Sequence, residues 1–270
     1  MLDSLWMFPV LGAVAGILAG LLGIGGGLVL VAALAWILPH HGVPVQAAMH
    51  AALASALASI VLTALSSAAS HHRRGSVLWR TVAWMVPGLM LGGWLGSVVA
   101  VALDGAVLRW LVAGYCFLAA MQMLFGKPRA DDAEQPRIEP AGPGFTLAGS
   151  LIGAMSAVVG IGGGSMTVPL LVWRGVRPVQ AVGTSSACGV AIGLASAAGY
   201  MANAPAGALP EQAIGYVYLP AAIGVALASI VAAPWGVRLA HAVSGPALKR
   251  IFVAFLLLVA ASLVWPSLAA

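Results

Sequence analysis

A glycine cluster inside a long apolar segment occurs twice in this chain. Residues 21–34 read LLGIGGGLVLVAAL and residues 158–171 read VVGIGGGSMTVPLL, with seven of the fourteen paired positions identical. The same tetrapeptide follows each copy, as Pro44-Val45-Gln46-Ala47 and as Pro178-Val179-Gln180-Ala181. Glycine is the poorest helix former after proline, so three in succession unwind an apolar helix at its middle. One such break per half predicts a repeat-built architecture with interrupted helices at its centre.

Only 7% of residues are charged, 61% are hydrophobic, and mean hydropathy is +1.03. So few charges cannot cover the surface of a soluble domain of this size, which predicts an all-α polytopic membrane protein. The net charge of +5 does not signal nucleic-acid binding, because the basic residues fall in short loops, where they set topology. Met1-Leu2-Asp3-Ser4 has no basic region and is not read as a cleaved signal peptide.

Apolar segments run over residues 5–38, 44–70, 81–102, 106–125, 144–173, 178–202, 213–236 and 246–265. The polar stretch 126–144, with Lys127, Arg129, Asp131, Asp132, Glu134, Arg137 and Glu139, cannot form a core. The predicted organisation is a first membrane repeat at 1–126, a cytoplasmic linker at 127–143 and a second membrane repeat at 144–270.

Segments one and five exceed the roughly 20 residues that one span requires. Each is therefore either a kinked span or a re-entrant hairpin. If every segment crosses, the 12 Lys and Arg residues divide evenly between the two faces. A hairpin at segment five puts eleven on one face and leaves only Arg109 on the other. The positive-inside rule selects the hairpin, and with it two inverted repeats. Each repeat is then a broken, Gly-rich hairpin followed by three transmembrane helices, with both termini outside.

In such a hairpin the returning half-helix starts just after the glycines, and its free N–H groups and dipole favour an anion. Gly25, Gly26 and Gly27, with Gly162, Gly163, Gly164 and Ser165, are the expected substrate-binding backbone. Pro169 requires the helix to resume close before it, since proline is tolerated in a first turn. Gln46 and Gln180 open the following helices. The second of these continues through Thr184 and Ser185, hydroxyls two turns in that can donate to an anion, and His50 stands at the position matching Thr184. His50 is the one ionisable residue well inside a predicted span, able to contact the anion or carry a proton. The competing reading for the glycines is close helix packing, and for the hydroxyls back-bonding to their own helix.

His71-His72-Arg73-Arg74 reads as a topology anchor, and His40-His41 has no carboxylate or cysteine nearby to make a metal site. Cys116 and Cys188 fall in separate apolar runs and read as small hydrophobes. Trp79, Trp235 and Trp265 sit near segment ends, as an interfacial belt does. No catalytic residue, metal or cofactor is expected.

The chain resembles the sulfite exporter TauE/SafE family. The likeness rests on GIGGGSMTVPLL (160–171), PVQAVGTSSA (178–187), AAGYM (197–201), LPEQAIGYVYLPA (209–221), PWGVRLAH (234–241) and LKRIFVAFLLL (248–258). In the first half, HRRGSVLWR (72–80) and LMLGGWLGS (89–97) match as well. The resemblance implies a multi-pass permease of the bacterial inner membrane. Its substrate would be a small anion such as sulfite or an organosulfonate. The chain departs from the Gly-Thr-Ser pattern at 49–51.

The expected function is secondary transport of a small sulfur-containing anion by alternating access, with protons as a further partner. An anion channel of the same fold is the alternative. A membrane-embedded enzyme lacks a His–Cys–carboxylate constellation. No nucleotide-binding motif is present, which argues against direct ATP coupling within the chain.

Overall fold

The computed structural model describes residues 6–22, 26–125, 139–242 and 245–268. Within them the chain forms ten α-helices in two sets of five. The first set is α1 (Met7–Leu22), α2 (Gly27–Ile37), α3 (Val45–Arg73), α4 (Trp79–Ala102) and α5 (Gly105–Phe125). The second is α6 (Pro143–Val159), α7 (Gly164–Trp173), α8 (Pro178–Ala202), α9 (Leu219–Ala242) and α10 (Gly245–Leu268). The apolar core runs through both sets.

Both glycine clusters interrupt their helices as the sequence predicts. At 16 and 11 residues, α1 and α2 are each too short to cross a bilayer, as are α6 and α7 at 17 and 10. By contrast, Ala48–Arg73, Trp79–Ala102, Gly105–Phe125 and Pro178–Ala202 are long and apolar enough to cross one. In the first interrupted pair the chain turns back: the Phe8 ring, at the start of α1, lies 4.9 Å from the His41 ring in the 3-10 turn after α2. In the second, Arg174, whose backbone amide caps the end of α7, holds its guanidinium 5.2 Å over Phe145 at the start of α6. Each short pair thus ends beside its own beginning.

Small residues let the two halves interlock. A Cβ on Gly88, Gly92 or Gly96 of α4 would strike the carbonyl of Thr146, Ser150 or Ala154 of α6. Reciprocally, one on Gly149 would sit 2.6 Å from the Met85 carbonyl. The contact positions rise together, so α4 and α6 are parallel, in the close small-xxx-small packing favoured where lipid provides no hydrophobic drive. The same contact joins α1 to α9: a Cβ on Gly12 would strike Val225, one on Gly16 would lie 2.7 Å from the Ser229 carbonyl, and Ser229 Oγ donates to Gly12 O at 2.9 Å. Each half's first helix therefore packs on the fourth helix of the other half. Between them α3 and α8 run antiparallel, since Gly183 faces His71, Gly189 faces Ala64 and Gly193 faces Leu57 and Val61.

Three sequence expectations are corrected. Segment seven does not begin as a helix at residue 213. Ala213–Ile214 and Val217–Tyr218 pair as a small antiparallel hairpin, with Gly215 at φ 57 in its turn. There a Cβ would meet the Met201 backbone at 2.5 Å, so the tight turn against α8 excludes a side chain. Segment seven also runs on as α9 to Ala242, through positions read as a loop, so Arg238 lies on a helix. Finally, α7 resumes at Gly164, which puts Pro169 in its second turn and deprives the Ser165 carbonyl of its helical donor.

Candidate functional site

The two glycine breaks meet at the middle of the α3–α8 pair. A Cβ on Gly27 would strike the Gly160 carbonyl and lie 3.0 Å from Ile60 and 3.4 Å from Ile161. One on Gly162 would lie 2.9 Å from Ile60, and one on Gly189 would lie 2.9 Å from the Gly162 carbonyl. Gly26 and Gly163 cap the N-termini of α2 and α7 in the left-handed region, at φ 60 and φ 76. Only glycine takes that conformation at little cost, and at Gly163 a side chain would also strike Ile192.

Beyond the caps, the first helical bonds are Leu30 N to Gly26 O (3.2 Å) and Met166 N and Thr167 N to Gly163 O (3.1 and 2.8 Å). The amides of Gly164 and Ser165, like those of Gly27 and Leu28, have no intrahelical acceptor. Two helix N-termini with partial positive charge thus approach one another from opposite directions. Ser165 is held in place by Tyr115 of α5, whose Oη donates to Ser165 Oγ at 2.6 Å. This leaves the Ser165 hydroxyl proton free to donate elsewhere.

Three more hydroxyls, one on each of α6, α7 and α8, are buried without partners, and none was singled out from the sequence. Ser156, Thr167 and Ser196 are fully buried, and the Oγ or Oγ1 of each has no hydrogen-bond partner. Thr167 Oγ1 lies 3.5 Å, and Ile152 3.7 Å, from where a Gly163 Cβ would be. Ser156 follows Ile152, and Ser196 follows Ile192, by one helical turn. Unpaired buried hydroxyls are costly, at about 1–3 kcal/mol each, and four such side-chain atoms occur among the described residues. Of these, Thr167 lies against the second break, whereas Ser196 Oγ faces Gly93 of α4, 2.9 Å from where a Cβ there would be. The available sequence signal was spacing: Ser156 precedes Gly160 by one turn and Thr167 follows Gly163 by one turn, on the face that closes over the glycines.

The remaining predicted site residues sit elsewhere. Thr184 Oγ1 accepts from the Leu78 amide at 3.0 Å, capping the start of α4. It lies five residues before Gly189, about 7.5 Å along the helix from the breaks. His50 Nε2 donates to the Leu103 carbonyl at 2.9 Å, and its ring stacks on Tyr216 at 4.9 Å. Ten residues, or about 15 Å of helix, separate it from Ile60, and its Nδ1 is the fourth unpartnered buried atom. Ser185 is buried one turn before Gly189. Gln46 is exposed, and Gln180 accepts from Arg177 Nε at 3.2 Å. Gly25 lies outside the described residues.

Among the described residues four helices are long and apolar enough to cross a membrane, and with the interrupted helices between them they mark a multi-pass, all-α membrane protein. The chain belongs to the sulfite exporter TauE/SafE family, whose model matches residues 8–263. A probable membrane transporter protein of Haemophilus influenzae is 34% identical over 252 residues, covering 93% of this chain and 94% of its own length. Another probable membrane transporter protein, from Methanocaldococcus jannaschii, is 26% identical over 258 residues, covering 90% of each chain. One from Xylella fastidiosa is 30% identical over 176 residues, covering 64% of this chain and 65% of its own. No solved structure matches the chain.

Proposed function

We propose that this protein is a secondary transporter of a small sulfur-containing anion in the bacterial inner membrane, and that the anion is held where the two glycine breaks meet. The observation that carries this reading is Thr167, buried and unpartnered against the Gly163 cap of α7, with the buried, unpartnered Ser156 one turn before the same break. Hydroxyls and free amides donate to an anion at far smaller desolvation cost than a buried Lys or Arg. The hydroxyl donors all belong to the second half, because Leu28 and Leu30 stand where the second break has Ser165 and Thr167.

The repeats, 1–126 and 144–270, are related by inversion in this reading. Support comes from the antiparallel α3 and α8, the matched α1–α9 and α4–α6 contacts, and the opposed directions of α2 and α7. Alternating access follows if the hairpins rock against α3 and α8, exposing the centre first to one face and then to the other. Arg73, Arg74, Arg80, Arg174 and Arg177 mark the cytoplasmic face.

The deciding experiment is flux in proteoliposomes against sulfite, sulfoacetate, thiosulfate and sulfate. Saturable transport of one or more of the sulfur anions, lost in a Thr167→Val, Ser156→Ala double variant that still inserts, is expected. Wild-type flux from that variant would remove the hydroxyls from the site.

A further inference from the structure

At the mouth of the second hairpin, away from the glycine breaks, a cleft of about 350 Å³ opens between the starts of α4 and α6 and the end of α7. Arg80, Glu139, Pro140, Ala141, Phe145 and Arg174 line it. We propose that this cleft binds the headgroup of an anionic phospholipid from the adjacent leaflet, with Arg80 and Arg174 taking the phosphate.

The two guanidiniums come from different helices, and neither makes an ion pair among the described residues. The Arg174 guanidinium stands over the Phe145 and Trp173 rings at 5.2 and 5.3 Å. Contact through its flat face leaves its N–H edges free for a bidentate phosphate. Glu139 offsets one of the two charges, so the cleft remains net positive. The cleft's walls are positioned by Thr81, whose Oγ1 donates to the Pro140 carbonyl at 2.7 Å, so the cations face a fixed rim.

Both its level in the molecule and its chemistry favour a lipid over a free anion. It lies where apolar helices begin and end, beside Trp79, Trp84 and Trp173, which are 50%, 40% and 61% exposed, as interfacial tryptophans are. Its walls combine two cations with the apolar faces of Phe145, Pro140 and Ala141, which suits a headgroup continuing into glycerol and chain. Basic pockets between membrane helices on an arginine-rich face are the usual setting for such headgroups.

Native mass spectrometry of the detergent-purified protein, titrated with phosphatidylglycerol and with phosphatidylcholine, tests the assignment. Phosphatidylglycerol adducts should be favoured about tenfold or more. In R80Q/R174Q that preference should vanish while phosphatidylcholine binding persists. E139Q removes the opposing carboxylate and should raise the preference above wild type, a gain that misfolding cannot mimic. Millimolar inorganic phosphate should leave lipid binding unchanged. An undiminished preference in R80Q/R174Q, no gain in E139Q, or displacement by phosphate would each overturn the proposal.

Discussion

Phe8 and His41 sit with ring centroids 4.9 Å apart, one at the start of α1 and the other just beyond α2. Tyr218 closes the group, 6.0 Å from Phe8 and 6.5 Å from His41. The contact brings the chain back to the level it left, making α1 and α2 the two legs of a hairpin. Burial, and then the like charge of neighbouring His40, push the His41 imidazole below its ordinary value. The unfolded chain therefore takes up this proton first as pH falls. The stability contributed by neutral His41 is complete above about 6.5 and is lost as pH drops toward the lowered folded value. Melting temperature in detergent should fall between pH 7.5 and pH 5, and His41→Phe should shrink that fall. An unchanged pH dependence would show that the latch does not titrate.

Gly163 should tolerate no side chain. Gly163→Ala meets both a left-handed backbone, at about 1–2 kcal/mol, and Ile192. Flux should drop at least tenfold while the protein still inserts. A matching Gly26→Ala, where φ is 60, should also lose flux. Normal transport by both variants would leave the glycines with a packing role alone.

The hydroxyls at the second break should behave unlike structural ones. Because Ser156 and Thr167 have no protein partner, Ser156→Ala and Thr167→Val should leave thermal stability level or raised. Each should weaken anion affinity by about 1.5–3 kcal/mol, the range for a hydrogen bond to a charged group. Competition binding of sulfite, read beside a melting curve, separates the two effects. A loss of stability with affinity intact would reverse the assignment.

Thr184 makes the opposite case. Thr184→Val strands the buried Leu78 amide at the start of α4, at a cost of about 1–3 kcal/mol in stability. His50→Gln keeps a donor for the Leu103 carbonyl and should leave stability close to wild type. A steep loss of anion affinity in Thr184→Val at unchanged stability would return this residue to the binding centre.

Facing of the turns can be read directly. A single cysteine at Gly175, in the turn after α7, should react with an impermeant maleimide only from the cytoplasmic side, and one at Ala206 only from outside. Native Cys116 and Cys188 are buried and give little background. Labelling of both from the same side would defeat the inverted reading.

The sequence by itself determined where the helices break. Glycine triplets cannot hold a helix, and hydropathy marks the flanking segments regardless of what they touch. Charge count also predicted that segment five turns back, because eleven of 12 basic residues then share a face, and the repeat extended that expectation to segment one. Tertiary structure alone decided which hydroxyls meet the breaks. Thr184 and His50 looked central because they occupy matched positions after PVQA, yet depth along a helix depends on where its partner crosses. That crossing is set by Gly189 and Ile60, five and ten residues further on. Thr167 lies against Gly163 because α7 resumes at that glycine cap, and no periodicity within one segment registers which buried hydroxyl the packing of α6, α7 and α8 leaves without a partner.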